Sequence, residues 1–372
     1  MNNHKKKVIL ACLLLILTAI FVSAQSTIVS GASPVVEYNG NLFYEGPVWD
    51  QVTQKLYFST PDHDPHDVYR LDSRGQASIW YANSEAINGM IIGNDGRLLA
   101  AVQDARAIMS FKIGVNGPED PMVLAQNPSW NRPNDLFQTK KGDIFFTGPV
   151  WGASFQAVYH MDVNGNVKEI ITNMAKPNGV CTSLDDKLLY ISDSDRRYWM
   201  VYDINADGSV SNGRVFFQTA SSRAGVPDGM TMDEFGNLYF TGLGGVWVVS
   251  PQGQQLDFIS IPTGTSNVAF GGAQGKTLYI TGSNYVYSLE TTVRGRAFVK
   301  DEPPVLLGDV NDDGNVSIVD SLLIAQYYVN IPVEIKQIEA GDVTGCDGVV
   351  NIVDALLVAQ HYVGLVETFP CE

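Results

Sequence analysis

Residues 177–193 read Pro177-Asn178-Gly179-Val180-Cys181-Thr182-Ser183-Leu184-Asp185-Asp186-Lys187-Leu188-Leu189-Tyr190-Ile191-Ser192-Asp193. A polar residue opens a short run of small and apolar residues, a polar turn follows, and a second strand is centred on Leu189. A third strand follows at Trp199-Met200-Val201-Tyr202. Outward from this stretch the same unit recurs between Leu42 and Leu289. Its openings are Glu45-Gly46-Pro47, Asn88-Gly89-Met90, Asn134-Asp135-Leu136, Asn178-Gly179-Val180, Asp228-Gly229-Met230 and Asn267-Val268-Ala269, spaced by 43, 46, 44, 50 and 39 residues. The second strands keep step, with Leu56, Leu98, Ile144, Leu189, Leu238 and Leu278 lying 10 or 11 residues after the openings. A period near 44 residues with several strands per unit is the pattern of propeller blades, and six units predict an all-β six-bladed β-propeller.

In such a fold the innermost strands line a central channel, so equivalent strand starts converge at one mouth. Glu45, Asn88, Asn134, Asn178, Asp228 and Asn267 are therefore expected to form a ring. Carboxylates and amide oxygens suit a hard cation such as Ca²⁺, whereas the pattern gathers no His/Cys cluster for zinc. The competing reading is that each Asn-Gly or Asp-Gly is a strand-entry turn. Six of them in phase favour the ring. The segment Asp62-His63-Asp64-Pro65-His66-Asp67 also holds groups able to bind zinc or copper, and reads more simply as a solvated loop.

Composition narrows the function. With 24 Lys+Arg against 40 Asp+Glu in 372 residues, the net charge of −16 repels phosphate backbones and excludes a nucleic-acid binder. Lys5, Lys6 and Lys7 precede an apolar run from Val8 to Val22 that ends in Val22-Ser23-Ala24, the pattern of a cleaved export signal at 1–24. The run is shorter than the roughly 20 residues of a spanning helix, so no membrane attachment is expected after cleavage. The propeller is expected over 25–299, a Pro303-Pro304 linker over 300–307, and a second, strongly acidic domain over 308–372.

That second domain is a duplication: the stretch from Asn315 to Asn330 repeats at Val349 to Gly364. Ahead of the first copy, Asp309, Asn311, Asp313, Ser317 and Asp320 occupy loop positions 1, 3, 5, 9 and 12 around Gly314, the oxygen-ligand spacing of a calcium loop. In the second copy Asp347, Asn351 and Asp354 fall on ligand positions, with Asp342 and Thr344 one residue further back. No helix is expected before the first loop, and one follows each loop. This small all-α, loop-helix pair resembles a type I dockerin. The resemblance implies Ca²⁺ in both loops and a cohesin domain on a scaffold or cell-surface protein as partner. Ile318-Val319 and Ile352-Val353 fall where dockerins choose that partner, with apolar residues in place of the Ser/Thr pairs of well-known examples. A calcium-stapled terminal domain without partner is the alternative. Cys346 and Cys371 are expected to pair in an oxidising environment, and Cys181 to be a small buried hydrophobe.

The propeller carries Glu45-Gly46-Pro47-Val48-Trp49, Arg132-Pro133-Asn134-Asp135, Pro177-Asn178-Gly179, Pro227-Asp228-Gly229-Met230 and Asn267-Val268-Ala269-Phe270-Gly271-Gly272. In this order and spacing the set resembles the senescence-marker-protein/gluconolactonase family. The resemblance implies that Glu45, Asn178 and Asp228 ligate one divalent cation, usually Ca²⁺. Asn134 would complete the site or hold a water, and Arg132 would bind substrate hydroxyls. Phe146-Thr147-Gly148-Pro149 departs from it, with Gly148 where many members have Asp. The implied activity is metal-dependent hydrolysis of a sugar lactone, with the cation polarising the carbonyl and Asp228 as general base. Hydrolysis of other esters or phosphotriesters, and a non-catalytic calcium-dependent binding propeller, are the alternatives. A dockerin usually accompanies plant-polysaccharide breakdown, a setting that would supply sugar lactones.

Overall fold

Each of the six openings leads into the innermost strand of a four-stranded antiparallel sheet. These inner strands are Glu45–Asp50, Ile87–Ile92, Leu136–Gln138, Pro177–Thr182, Met230–Met232 and Asn267–Gly271. In blades 1 to 5 the four strands follow one another outward in chain order. Blade 6 takes its outer strand from the other end of the chain: Val35–Asn39 pairs antiparallel with Tyr285–Glu290 and closes the circle. The computed structural model describes residues 26–149, 156–299, 306–344 and 349–370. The proposed leader 1–24, the residues Cys346, Asp347 and Cys371, and most of the 300–307 linker lie outside them. The chain divides between Phe298 and Val299 into two compact units.

Neighbouring sheets bury large side chains against each other. Trp199 of blade 4 stacks on Phe240 of blade 5 at 4.2 Å, and Trp49 of blade 1 on Tyr279 of blade 6 at 5.6 Å. Each such burial contributes roughly 1.5–3 kcal/mol. Near the axis the contacts become polar and ordered. Ser59 Oγ donates to the Asn88 carbonyl at 2.8 Å, Thr147 Oγ1 to that of Asn178 at 2.6 Å, and Ser192 Oγ to that of Asp228 at 2.8 Å. Thr241 Oγ1 donates to Ser266 at 2.8 Å, and Ser266 Oγ to Tyr44 at 2.7 Å, which ties blade 6 to blade 1. A hydroxyl in one blade thus satisfies a buried carbonyl of the next.

The Gly of the openings has a packing role, so the turn reading is corrected. A Cβ on Gly46 would overlap the Asn88 carbonyl, one on Gly89 the Asn134–Asp135 backbone, one on Gly179 the Asp228 carbonyl, and one on Gly229 the Asn267 amide. Asn88 and Asn178 lie inside strands, with the register shifting beside them. Close approach around the axis excludes a side chain at these positions.

In the second unit, α1 (Ile318–Tyr328) and α2 (Ile352–Tyr362) follow the two loops, and 306–317 carries no helix, as the sequence implies. Ser317 and Asn351 are their N-caps, and Asp320 and Asp354 complete capping boxes. Val310, Ile324, Val343 and Val358 are fully buried in a small shared core, across which Ser321 Oγ donates to the Ala355 carbonyl at 2.7 Å.

Gly46 combines a left-handed φ of 47° with the contact to Asn88. Gly46→Ala is therefore expected to destabilise the propeller by about 2–4 kcal/mol, adding left-handed strain to overpacking. Urea denaturation followed by tryptophan fluorescence reads this, and an unchanged midpoint would show that the inner strands are not closely packed.

Candidate active site

Five of the six ring residues, Glu45, Asn88, Asn134, Asn178 and Asp228, line one cavity of about 380 Å³ at one mouth of the channel. Arg132, Arg106, Asp62, Phe43 and Trp130 also border it. Asn267 is not part of this lining. Its Oδ1 accepts the Val268 N–H at 2.8 Å, which withdraws that oxygen from the expected ring.

The cavity residues are oriented by what holds their far sides. Asn178 Nδ2 donates to Ser194 Oγ at 3.2 Å, and Ser194 Oγ donates to the Pro227 carbonyl at 2.6 Å. That leaves Asn178 Oδ1 buried with no hydrogen-bond partner. Asp228 Oδ1 is likewise sealed from solvent and unpartnered. Glu45 is 4% exposed, and its Oε2 accepts the Gly46 N–H at 2.8 Å. Burial is the main force lifting the Glu45 carboxyl above its ordinary range, with the Asp135 charge adding to it. Burial also raises Asp228 well above the usual carboxylate range, reinforced by Glu45 and Asp135. Burial pushes Asp135 up to about 7. Buried unpaired carbonyl and carboxylate oxygens are costly unless a partner supplies positive charge. The donor set of Glu45, Asn178 and Asp228 is all oxygen, and it fits a hard divalent cation.

Around this floor, Arg132 is half-exposed and its Nη2 lies 3.4 Å from Asp104 Oδ1. Asp104 Oδ2 lies 3.4 Å from His66 Nε2, so the loop once open to a zinc or copper reading braces the cavity rim. Among the described residues it forms no cluster of three or more His, Cys, Asp or Glu arranged for a metal. Asp62, from the same loop, reaches the cavity itself. At Gly148 a Cβ would lie 3.2 Å from the Tyr159 ring and 3.4 Å from the Asn131 carbonyl, so the chain packs closely at this departure from the expected pattern. Cys181 is buried, and burial pushes its thiol up to about 11, as expected of an inert hydrophobe.

Asp135 was not singled out by the sequence reading, although the signal was there: it puts a carboxylate where four of the other five openings have Gly. Arg106, Phe43 and Trp130 carried no signal, because they come from loops between strands.

In the first loop of the second unit, Asp309 Oδ2 accepts the Gly314 N–H at 2.8 Å, and Gly314 turns the chain at φ 84°. Asp320 is fully buried and accepts the N–H groups of Val310 at 3.1 Å and Ser317 at 2.9 Å. Asp354 does the same for Val343 and Asn351, at 3.1 and 2.8 Å, and Thr344 Oγ1 donates to it at 2.6 Å. Asn311 Nδ2 donates to Asp313 Oδ2 at 3.0 Å. The loop donors are all oxygens, the chemistry of a Ca²⁺ site.

Two family models match the sequence: the SMP-30/Gluconolactonase/LRE-like region over residues 43–284 and the Dockerin type I domain over 307–362. The gluconolactonase of Zymomonas mobilis subsp. mobilis is 30% identical, over 68% of this chain and 79% of that protein. The pentonolactonase XacC of Haloferax volcanii is 26% identical, over 64% of this chain and 80% of its own length. The structure of a gluconolactonase from Xanthomonas campestris superposes with a TM-score of 0.63 at 24% identity, covering 71% of this chain and 91% of that one, and so shares the fold.

Burial raises the carboxyl pKa values of Glu45, Asp135 and Asp228 alike. For Glu45 and Asp135 protonation stabilises the fold fully below about pH 4, and the contribution is lost as pH climbs through 7 to 8. A cation needs the ionised forms, so its affinity should rise between pH 5 and 8 and its binding should expel protons. Calorimetric titration with Ca²⁺ at pH 6.5, in buffers of different ionisation enthalpy, is expected to show net proton release. A heat independent of buffer would mean that the carboxyls are already ionised.

Proposed function

The chain belongs to the SMP-30/gluconolactonase/LRE-like family and carries a type I dockerin domain; from that premise we propose that its propeller hydrolyses sugar lactones and that its dockerin attaches it to a cohesin-bearing protein outside the cell. The observation that carries the enzymatic reading is the pair of buried, unpartnered oxygens, Asn178 Oδ1 and Asp228 Oδ1, on a cavity shared with Glu45 and Arg132. Glu45, Asn178 and Asp228 would hold the divalent cation, with Ca²⁺ the choice of an all-oxygen set. When bound, such an ion supplies positive charge that polarises a carbonyl and steadies the negative charge that develops on its oxygen.

The chain's own groups do the rest. The Asp228 carboxylate takes a proton from the attacking water as the water oxygen bonds to the lactone carbonyl carbon. The ring C–O bond then breaks, its oxygen takes up the proton, and an open-chain hydroxy acid leaves. Arg132, steadied by Asp104, turns its remaining N–H groups to substrate hydroxyls, and Asn134 borders the same space. The relatives named for gluconolactone and pentonolactone hydrolysis support five- and six-carbon aldonolactones as the substrate class.

On the second unit, Ile318, Val319, Ile352 and Val353 are each about half-exposed at the starts of α1 and α2. Apolar side chains left in solvent at equivalent places on two helices support a docking role toward a cohesin. Ca²⁺ in the two loops would hold those helix starts in place. Export through the leader at 1–24 fits both domains, and among the described residues no helix is long and apolar enough to cross a membrane.

Residues 25–372 are expected to hydrolyse glucono-, galactono- or xylonolactone, to lose turnover on chelation and to regain it with Ca²⁺. Asp228→Asn should lower kcat at least about 100-fold, the usual worth of a general base. Full activity in that variant with metal bound would remove Asp228 from the role, and no lactone turnover with Ca²⁺ bound would favour a binding propeller. For the second unit, Asp320→Ala should abolish Ca²⁺-dependent capture by immobilised cohesins. Capture that persists in chelator would overturn the calcium-loop reading.

A further inference from the structure

One wall of the cavity comes from the turn of blade 2 between Leu98–Val102 and Ala107–Gly114, with Gln103 at its start and Arg106 at its end. The Arg106 N–H donates to the Gln103 carbonyl at 3.2 Å and closes the turn, and both residues border the same space. Gln103 is 6% exposed, and its Oε1 is sealed from solvent with no hydrogen-bond partner. A buried amide oxygen left unpaired costs free energy. The proposed cation does not account for it, because Gln103 is neither one of the donors nor a group that holds them. Arg106 takes a left-handed φ of 51° and is held there: its carbonyl accepts the Asn127 N–H at 3.2 Å, and the Ala105 carbonyl accepts from Gln126 Nε2 at 2.8 Å. Its Nη1 donates to the Pro128 carbonyl, and among the described residues no carboxylate pairs with it. Asp62 on the same cavity and Asp104 within the turn disfavour an anion at this wall. A neutral hydroxyl, which both donates and accepts, suits the pair. The Gln103 amide turns readily about its last torsion, so its oxygen or its nitrogen can meet such a group.

We propose that Gln103 and Arg106 form a hydroxyl-binding subsite that sets substrate specificity: the Gln103 amide pairs with one hydroxyl of the sugar lactone, and Arg106 donates to an oxygen beside it. The inference rests on the reading that the cavity takes a sugar lactone, and it adds which lactones are refused. A site with a buried polar group placed for a substrate hydroxyl rejects the analogue that lacks it, because that group then stays unpaired. A lactone without the hydroxyl that meets Gln103 is therefore a poor substrate although its carbonyl is unchanged. Since the wall is separate from Glu45, Asn178 and Asp228, this selectivity is separable from cation binding.

The test compares wild type with Gln103→Met, both as residues 25–372, on gluconolactone and on its monodeoxy analogues, each lacking one free hydroxyl. Met fills nearly the same volume without a hydrogen-bonding amide. In wild type one analogue is expected to fall at least about tenfold below gluconolactone in kcat/KM. In Gln103→Met, gluconolactone should drop to the level of that analogue, while the analogue itself stays within about twofold of its wild-type value, so the discrimination disappears. Wild type that turns over every analogue as it does gluconolactone, or a discrimination that survives in Gln103→Met, would overturn the inference. Should wild type hydrolyse none of these lactones, the lactonase reading fails, and calorimetric binding of glucose and its monodeoxy analogues decides the subsite alone. Selectivity lost in Gln103→Met then upholds it, and selectivity retained, or no binding, overturns it. If Gln103→Met does not fold, Gln103→Leu takes its place with the same comparison.

Discussion

Six inner strands meet around one axis so closely that the opening of each blade touches the opening of the next. This contact decides which residues can stand there. Gly46, Gly89, Gly179 and Gly229 are small because the neighbouring blade's backbone or side chain already occupies the space of a Cβ. Ser59, Thr147, Ser192 and Thr241 carry hydroxyls because the neighbouring carbonyls would otherwise be buried without partners. The polar residue beside each glycine is then left at the mouth of the channel. The ring is thus a by-product of closure, and closure itself is completed by Val35–Asn39 pairing into blade 6.

Rigidity around the axis is what makes the ring chemically useful. Asn178 is fixed through Ser194 to Pro227, which leaves its Oδ1 buried without a protein partner, and Glu45 is held through the Gly46 N–H. Burying these carboxylates together costs free energy, which appears as their raised pKa values. A divalent cation offsets that cost. Burial is the larger part of that cost and the neighbouring charges the smaller, while the large cores between sheets keep the fold intact.

The 44-residue period, the inner-strand openings and five members of the cavity were legible in the sequence, because one geometric constraint repeats and leaves polar-Gly pairs in phase. The fourth strand of each blade was not legible. Outer strands such as Gly117–Gln126 are largely exposed and carry no apolar alternation to mark them. The closure of blade 6 was missed for a related reason, since Val35–Asn39 pairs with a strand some 250 residues away. Asn267 illustrates the limit from the other side. Phase alone put it among the ligands, but a side chain that turns back to bond the next N–H is withdrawn from the cavity, and periodicity carries no information about that turn. Asp62 and Arg106 belong to loops, where no repeat constrains identity.

The two units assemble all-oxygen donor sets under opposite physical conditions. In the propeller, Glu45, Asn178 and Asp228 come from blades 1, 4 and 5, so a fold with its own core must exist before the donors meet. In the second unit the donors of the first loop lie between Asp309 and Asp320, and the core beneath is a handful of residues around Val310, Val343, Ile324 and Val358. Such a core is too small to impose a loop conformation on its own. Buried Asp320 and Asp354 hold the start of each loop to the start of its helix through backbone N–H groups, so loop and helix order together. A cation bound in the propeller adds charge to a site already built, whereas one bound in the loops adds to the stability of the unit itself. If both donor sets hold a cation as proposed, chelation acts on chemistry in the first unit and on folding in the second.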